Sequence, residues 1–423
     1  MKNTCRKLCI MGLMAIVTAS CIKYDYSPEG YHEQMLEYFP VESVQGADVW
    51  DMMTKMSIQV STDIDEVRQV QVLSTDPYSD DRSCEILSEN TLLKGETRSL
   101  PYVVPTGMTT VYVAALDQYG QYIHVSSVLA GRARITLSGQ VPSPKTFSLA
   151  HQTLYYGFEE NYPEAGDWDY NDLVLAISME RTSNPKTVKL NVKLHAVGSL
   201  KQLAAAINLV GYKKSAIRSI TVDGTNNFIR DPERIRTIIT ENDLLLGGKN
   251  SEAVLNLFDD AHAAFEVPGD ASASVNRYYY NTVWDPTGRS DAKNTPGPTT
   301  SFLIEFANAS DAQNFSLGNL DPFLVLPYIS LTFEVHTRKY KLKEILFYYY
   351  NGSESTYDDE FSFAIEVPYK NFYYPQEGKK IGILKNGKQG GCYAESGASF
   401  GEWLQGVESA REWYKNATGD VMR

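Results

Sequence analysis

The sequence predicts an all-β protein built from two β-sandwich-like domains, the first immunoglobulin-like, the second larger and closed by a terminal helix. Three observations predict it. Apolar and polar residues alternate over short runs, as in Val188, Leu190, Val192 and Leu194 against Lys189, Asn191 and Lys193, and again in Met56–Val60; that is the period of half-buried strands. Turn signals recur about every 8–15 residues through the first third, the spacing of a sandwich. Ser138–Lys145, SGQVPSPK, then punctuates the chain between two series of strands. A chain of 423 residues exceeds one usual domain. Its 28 tyrosines suit half-buried strands and surface recognition.

Taken in order, residues 1–21 read as a lipoprotein export signal. Lys2, Arg6 and Lys7 precede the apolar run Leu8–Val17, which is too short to span a membrane. Thr18-Ala19-Ser20 then leads to Cys21 as in a lipobox, so Cys21 is the expected lipid anchor. Removing Met1–Ser20 takes away those three positive charges and moves the formal charge from −13 to −16. Such an acidic chain, with no Lys/Arg cluster, argues against nucleic acid as a partner. Residues 22–50 read as a polar tether with a short helix near Tyr31–Pro40.

Residues 51–140 form the expected immunoglobulin-like domain. Val67–Leu73 alternates, and Thr109–Ala115 and Gln121–Val125 flank a hairpin turn at Asp117–Gly120. Residues 150–416 form the second. Leu173–Met179 is nearly continuous apolar strand, and Phe302–Phe306, Leu331–Val335, Ile345–Tyr350 and Phe361–Val367 continue the series. Leu200–Leu209 has the composition of a helix. Pro286–Thr300 reads as a loop. Near the end, Phe400, Trp403, Leu404, Val407, Arg411 and Tyr414 fall at steps of three and four, and Ser399 with Glu402 makes a capping box, so one amphipathic helix is expected as a lid.

Chemistry concentrates in Gly157–Val174, GFEENYPEAGDWDYNDLV. Asp167, Asp169 and Asn171 alternate and Asp172 follows; Glu159 and Glu160 stand upstream. Gathered carboxylate and amide oxygens suit Ca²⁺, which takes roughly 6–8 oxygens at about 2.3–2.6 Å. Gly166 offers the turn a positive φ. Trp168 and Tyr170 alternate with the acids and can anchor the loop on a core. The mid-loop Gly and distant Glu of an EF-hand are missing. The same residues also make ordinary hydrogen-bonded turns.

This run resembles the signature of the LruC-domain family of bacterial surface lipoproteins, in which F-E-D and a Pro precede G-D-x-D-[YF]-N-D-x-V. Phe158, Glu159, Gly166, Asp167, Asp169, Tyr170, Asn171, Asp172 and Val174 match it, and Glu160 stands for the usual Asp. Looser likenesses follow in order: AVGSLKQLAAAINLVGY within His195–Tyr212, AVLNLFDD at Ala253–Asp260, NLDPF at Asn319–Phe323, FYYPQE at Phe372–Glu377, and Tyr393, Trp403 and Trp413-Tyr414. The resemblance spans about Leu154–Tyr414. It makes Leu200–Leu209 a strand and implies an outer-membrane lipoprotein, on the surface or the periplasmic face. It carries no reaction.

Catalysis finds little support. No G-x-S-x-G occurs, and Cys84 and Cys392 are neither a disulfide framework nor part of a zinc spacing. Histidine is scarce, at six residues, and His124, His151, His195 and His262 have no partners visible in the sequence. The expected function is therefore non-enzymatic: a lipid-anchored envelope protein with a structural Ca²⁺, presenting sandwich loops to a protein or glycan. A carbohydrate-binding or glycan-processing reading would use Tyr278–Tyr280, Trp284 and Phe347–Tyr350 as stacking surfaces. A fimbria-like assembly subunit would exchange a strand at a sheet edge.

Overall fold

The computed structural model describes residues 28–45, 50–228, 235–239, 243–266, 275–328, 331–340, 345–346 and 361–422. Cys21, residues 22–27 and the aromatic run Phe347–Tyr350 lie outside them. Strand makes up 41% and helix 13%, so the protein is all-β as the alternation predicts.

The first sandwich uses eight strands: β1 (Met53–Thr62), β2 (Gln69–Leu73), β3 (Glu85–Thr91), β4 (Thr97–Pro105), β5 (Thr110–Leu116), β6 (Tyr122–Leu129), β7 (Arg134–Leu137) and β8 (Ala150–His151). A three-stranded sheet, β4-β1-β7, faces a five-stranded one, β6-β5-β2-β3-β8. Ile58, Val60, Leu100 and Tyr102 from one sheet meet Val70, Val72, Val111 and Val113 from the other in a common core. The β5–β6 hairpin turns at Asp117–Gly120, where the Asp117 carboxylate accepts from the Tyr119 and Gln121 amides. β8, just beyond the Pro/Ser punctuation, adds to β3 in parallel.

The second sandwich follows with β9 (Thr153–Phe158), β10 (Leu173–Arg181), β11 (Thr187–Ala196), β12 (Ala204–Lys213), β13 (Ile217–Val222), β14 (Leu245–Gly247), β15 (Glu252–Phe258), a small pair β16 (Tyr279–Tyr280) and β17 (Ala292–Lys293), then β18 (Thr299–Phe306), β19 (Leu320–Tyr328), β20 (Leu331–Val335) and β21 (Ala364–Val367). The order β13-β18-β11-β10-β9-β21 makes one sheet and β14-β15-β12-β19-β20 the other. β11 alternates half-buried and buried residues over its whole length, as its sequence requires. The stretch with helical composition is strand from Ala204: Ala204–Leu209 pairs with β15 and β19, and every one of those six side chains is buried.

Two expectations change. The terminal helix is only Phe400–Leu404, with its Ser399/Glu402 capping box present. Gly406 then takes a φ of 77°, and a Cβ there would lie 1.2 Å from Gln45 Oε1, so the helix stops. Two 3₁₀ turns, Glu408–Ala410 and Trp413–Lys415, carry the rest. Phe400, Trp403, Leu404 and Tyr414 are buried as the stripe predicts, but Val407 and Arg411 are exposed. The second change concerns the segment read as tether. Its helix, Pro28–Tyr38, sits in the core of the second sandwich through Tyr31 and Met35, and Phe39, Trp50, Met52 and Met53 follow it there.

A buried ionic group lies at the β19–β20 pair of the second sandwich. His336 Nδ1 stands 2.9 Å from Asp321 Oδ1 and Nε2 3.2 Å from Glu334 Oε2, with the ring stacked on Phe323. Burial pushes the imidazole pKa down, but the two carboxylates outweigh it and raise it from 6.5 to about 9. A folded value above the unfolded one means stability fully present below pH 6.5 and lost as pH rises through about 9. Melting temperature is expected to fall across that window, and a flat profile there would refute the ionised triad.

Candidate metal centre

β9 and β10 pair in register up to Phe158 and Leu173. That pairing places Glu159 and Asp172 at the two ends of the loop between them. Asp172 Oδ2 accepts from the Glu160 amide at 2.7 Å. The Glu159 carboxylate, fully buried, accepts from the Trp168 amide (3.2 Å) and the Tyr170 amide (2.7 Å). It therefore sits inside the curl of the loop.

The curl has an unusual backbone. Trp168 and Tyr170 take φ values of 61° and 53°, a region that bulky residues rarely enter. Their surroundings hold them there. The Trp168 ring packs edge-on against Phe39 at 4.7 Å and lies 5.1 Å from Phe363. The Trp168 carbonyl accepts from the Ile381 amide, and the Tyr170 hydroxyl donates to the Ser362 carbonyl. Gly166 is needed for a reason other than the positive φ expected of it. That angle falls on its aromatic neighbours, whereas a Cβ on Gly166 would lie 2.1 Å from Glu159 Oε2.

Two groups of acids converge. Ligand oxygens of Glu159, Asp167 and Asp172 lie within 4.8 Å of one another, as do those of Asp167, Asp169 and Glu377. Asp167 belongs to both. Among the sequence candidates, the structure thus gathers Glu159, Asp167, Asp169 and Asp172. Glu160 belongs to neither group among the described residues: one oxygen accepts from the Ser199 hydroxyl and the other pairs with Lys201 at 3.3 Å. Asn171 is buried and donates through Nδ2 to the Pro375 carbonyl, while its Oδ1 accepts no hydrogen bond among the described residues. Gly198 closes over that oxygen, and a Cβ there would lie 1.7 Å away.

Glu377 is the residue that sequence reasoning missed. It enters from the segment after β21, where the Gly378 amide also donates to Asp169 Oδ2 at 2.8 Å. Its only signal was its place at the end of FYYPQE, two residues after a proline.

The electrostatics are those of a site short of positive charge. Burial, then Asp167, raises the Glu159 carboxyl to about 8. Burial, then Asp167 and Glu160, does the same for Glu377. Asp169 and Asp172 are raised well above the usual range, first by burial and then by their acidic neighbours. An all-oxygen donor set with no His or Cys suits a hard cation such as Ca²⁺ rather than zinc or copper.

Residues 185–403 match the family described as "Domain of unknown function (DUF4842)". The chain belongs to the DUF4842 family. The DUF4842 segment takes in Glu377 but begins after the acidic loop, so the centre joins residues from within the family's domain to residues before it. Among solved structures, the chain is similar to one named "Putative lipoprotein from Bacteroides ovatus", with 14% identity and a TM-score of 0.49, over 85% of this chain and 100% of that one. No curated protein matches.

Proposed function

We propose that this DUF4842 protein is a non-enzymatic, lipid-anchored envelope protein of LruC type whose second sandwich is closed by Ca²⁺. The observation that carries the calcium reading is the convergence of Glu159, Asp167, Asp169, Asp172 and Glu377, with Asp167 shared by both groups. Between Asp169 and Asp172 in the chain, the buried Asn171 Oδ1 accepts no hydrogen bond among the described residues. Bound calcium would offset the mutual repulsion of the acids and tie the β9–β10 loop to the segment around Glu377. Its role is structural: the ligands are buried or half-buried.

The lipid anchor rests on the charged, apolar, small-residue order that ends at Cys21. Its place is the outer membrane. Stable anchoring takes more than one acyl chain, which a fully acylated lipoprotein cysteine supplies. Cys21→Ser is expected to release the protein from membranes. A mutant that still sediments with them after a salt wash would refute the anchor.

A second reading, glycan binding at the surface, is favoured by one observation. Trp284 is 72% exposed, beside a loop in which Arg289 stacks over Tyr279 at 5.1 Å. A glycan array with wild type and Trp284→Ala tests it: glycan signals that the variant loses support this reading, and an array with none rejects it.

A further inference from the structure

We infer that the protein meets the lipid surface with its second sandwich, although the first sandwich comes earlier in the chain; this rests on the lipid-anchor reading of Cys21. Chain order alone would make residues 22–50 a spacer of up to about 100 Å at 3.3–3.6 Å per residue, with the first sandwich hung next to the anchor.

The described residues arrange it otherwise. The helix Pro28–Tyr38 is stitched to the second sandwich along its length. Tyr31, Met35 and Phe39 enter that core. Lys385 Nζ reaches the carbonyls of Leu36 (2.6 Å), Glu37 (2.9 Å) and Phe39 (3.3 Å), a cation at the helix C-terminus. Beyond the helix, Leu384 N donates to Pro40 O at 2.9 Å and Gln45 N to Leu404 O at 2.7 Å. The chain from residue 28 to residue 45 is thus part of the folded body. Only seven steps separate Cys21 from Pro28, at most about 25 Å. The hairpin of Ile383–Lys385 with Lys388–Gly390 lies at the C-terminal end of the helix, about 15 Å further along it than Pro28 and so within about 40 Å of Cys21. The first sandwich leads away: β1 leaves the shared core at Met53 and runs to Thr62, about 30 Å at the usual rise. There Gly95 N meets Thr62 O, so Lys94 marks its far end.

The test uses the full-length acylated protein in vesicles of phosphatidylethanolamine and phosphatidylglycerol carrying a rhodamine headgroup lipid. A donor dye is placed at Lys388→Cys or at Lys94→Cys, both on exposed positions; Cys84 and Cys392 are buried. Energy transfer is expected to be several-fold stronger from position 388. A Gly/Ser segment inserted between Ser27 and Pro28 should abolish that difference while the protein stays on the vesicles. Equal transfer from both positions, stronger transfer from position 94, or a difference that survives the insertion overturns the orientation alone. A protein that never partitions onto the vesicles overturns the anchor, and the orientation with it.

Discussion

Ca²⁺ added to chelator-treated protein is expected to raise its melting temperature by about 5–10 °C. A ligand that binds only the folded state stabilises it by about 2.7 kcal/mol at a hundredfold excess over its dissociation constant. For a domain of some 150–250 residues, each kcal/mol moves the midpoint by about 2–4 °C. The physical source is the pair of acid groups that share Asp167. Without a cation the folded state must keep these carboxyls close together and largely out of water; a divalent ion removes that penalty. Asp167→Asn should therefore abolish the response, because it takes a ligand from both groups at once. Glu377→Gln should weaken it, although Glu377 lies outside the acidic run. Glu160→Gln should leave most of it, since Glu160 is occupied by Ser199 and Lys201. Mg²⁺ should do less, because it demands a tight octahedral shell and sheds water reluctantly. Acid should diminish the response, because ligating carboxylates must be ionised. Superimposable melting curves with and without Ca²⁺, with no metal found by mass spectrometry, would reduce the loop to a hydrogen-bonded turn.

Phe39→Ala is expected to cost about 3–5 kcal/mol, the usual range for an aromatic removed from a packed core. Phe39 is 1% exposed. Its ring stands edge-on to Trp168 at 4.7 Å and to Phe361 at 4.8 Å, and Trp50 lies 6.3 Å away. Removing it leaves a cavity directly against Trp168, whose backbone is held in the left-handed region partly by that packing. The loss should therefore reach the acids on either side of Trp168 and lower Ca²⁺ affinity along with stability. Tyr38, one residue earlier, is 54% exposed, and Tyr38→Ala should stay within about 0.5 kcal/mol of wild type. Chemical denaturation of the two variants decides it. If they unfold alike, the N-terminal segment is a spacer and not part of the second core.

The sequence carried most of the strands because their burial has a period. Val188–Leu194 could be nothing but a half-buried strand, and the pairing of β11 with β10 and β18 follows from it. The acidic loop was legible for a different reason: its oxygens are neighbours in the chain. Glu377 was not, because nothing local marks it, and only the closing of β21 onto β9 brings its segment back. The terminal helix misled because steps of three and four describe 3₁₀ turns on a core as well as a continuous helix; Gly406 was the stop signal. The helix Pro28–Tyr38 could have been placed. Tyr31, Met35 and Phe39 recur every four residues, which is a buried stripe rather than a tether.

The contact between the Asp167 side of the loop and Glu377 also sets an order of events. The two segments are about two hundred residues apart, and contacts at such separation close late, after the loop entropy between them has been overcome. During synthesis, or during export with the N-terminus leading, the acidic loop emerges long before its last ligand. Any chain that ends short of residue 377 carries the loop without the second group of acids. Full-strength metal binding would then report that the polypeptide has been made and folded through residue 377, which makes calcium affinity an assay for how far the chain has been completed.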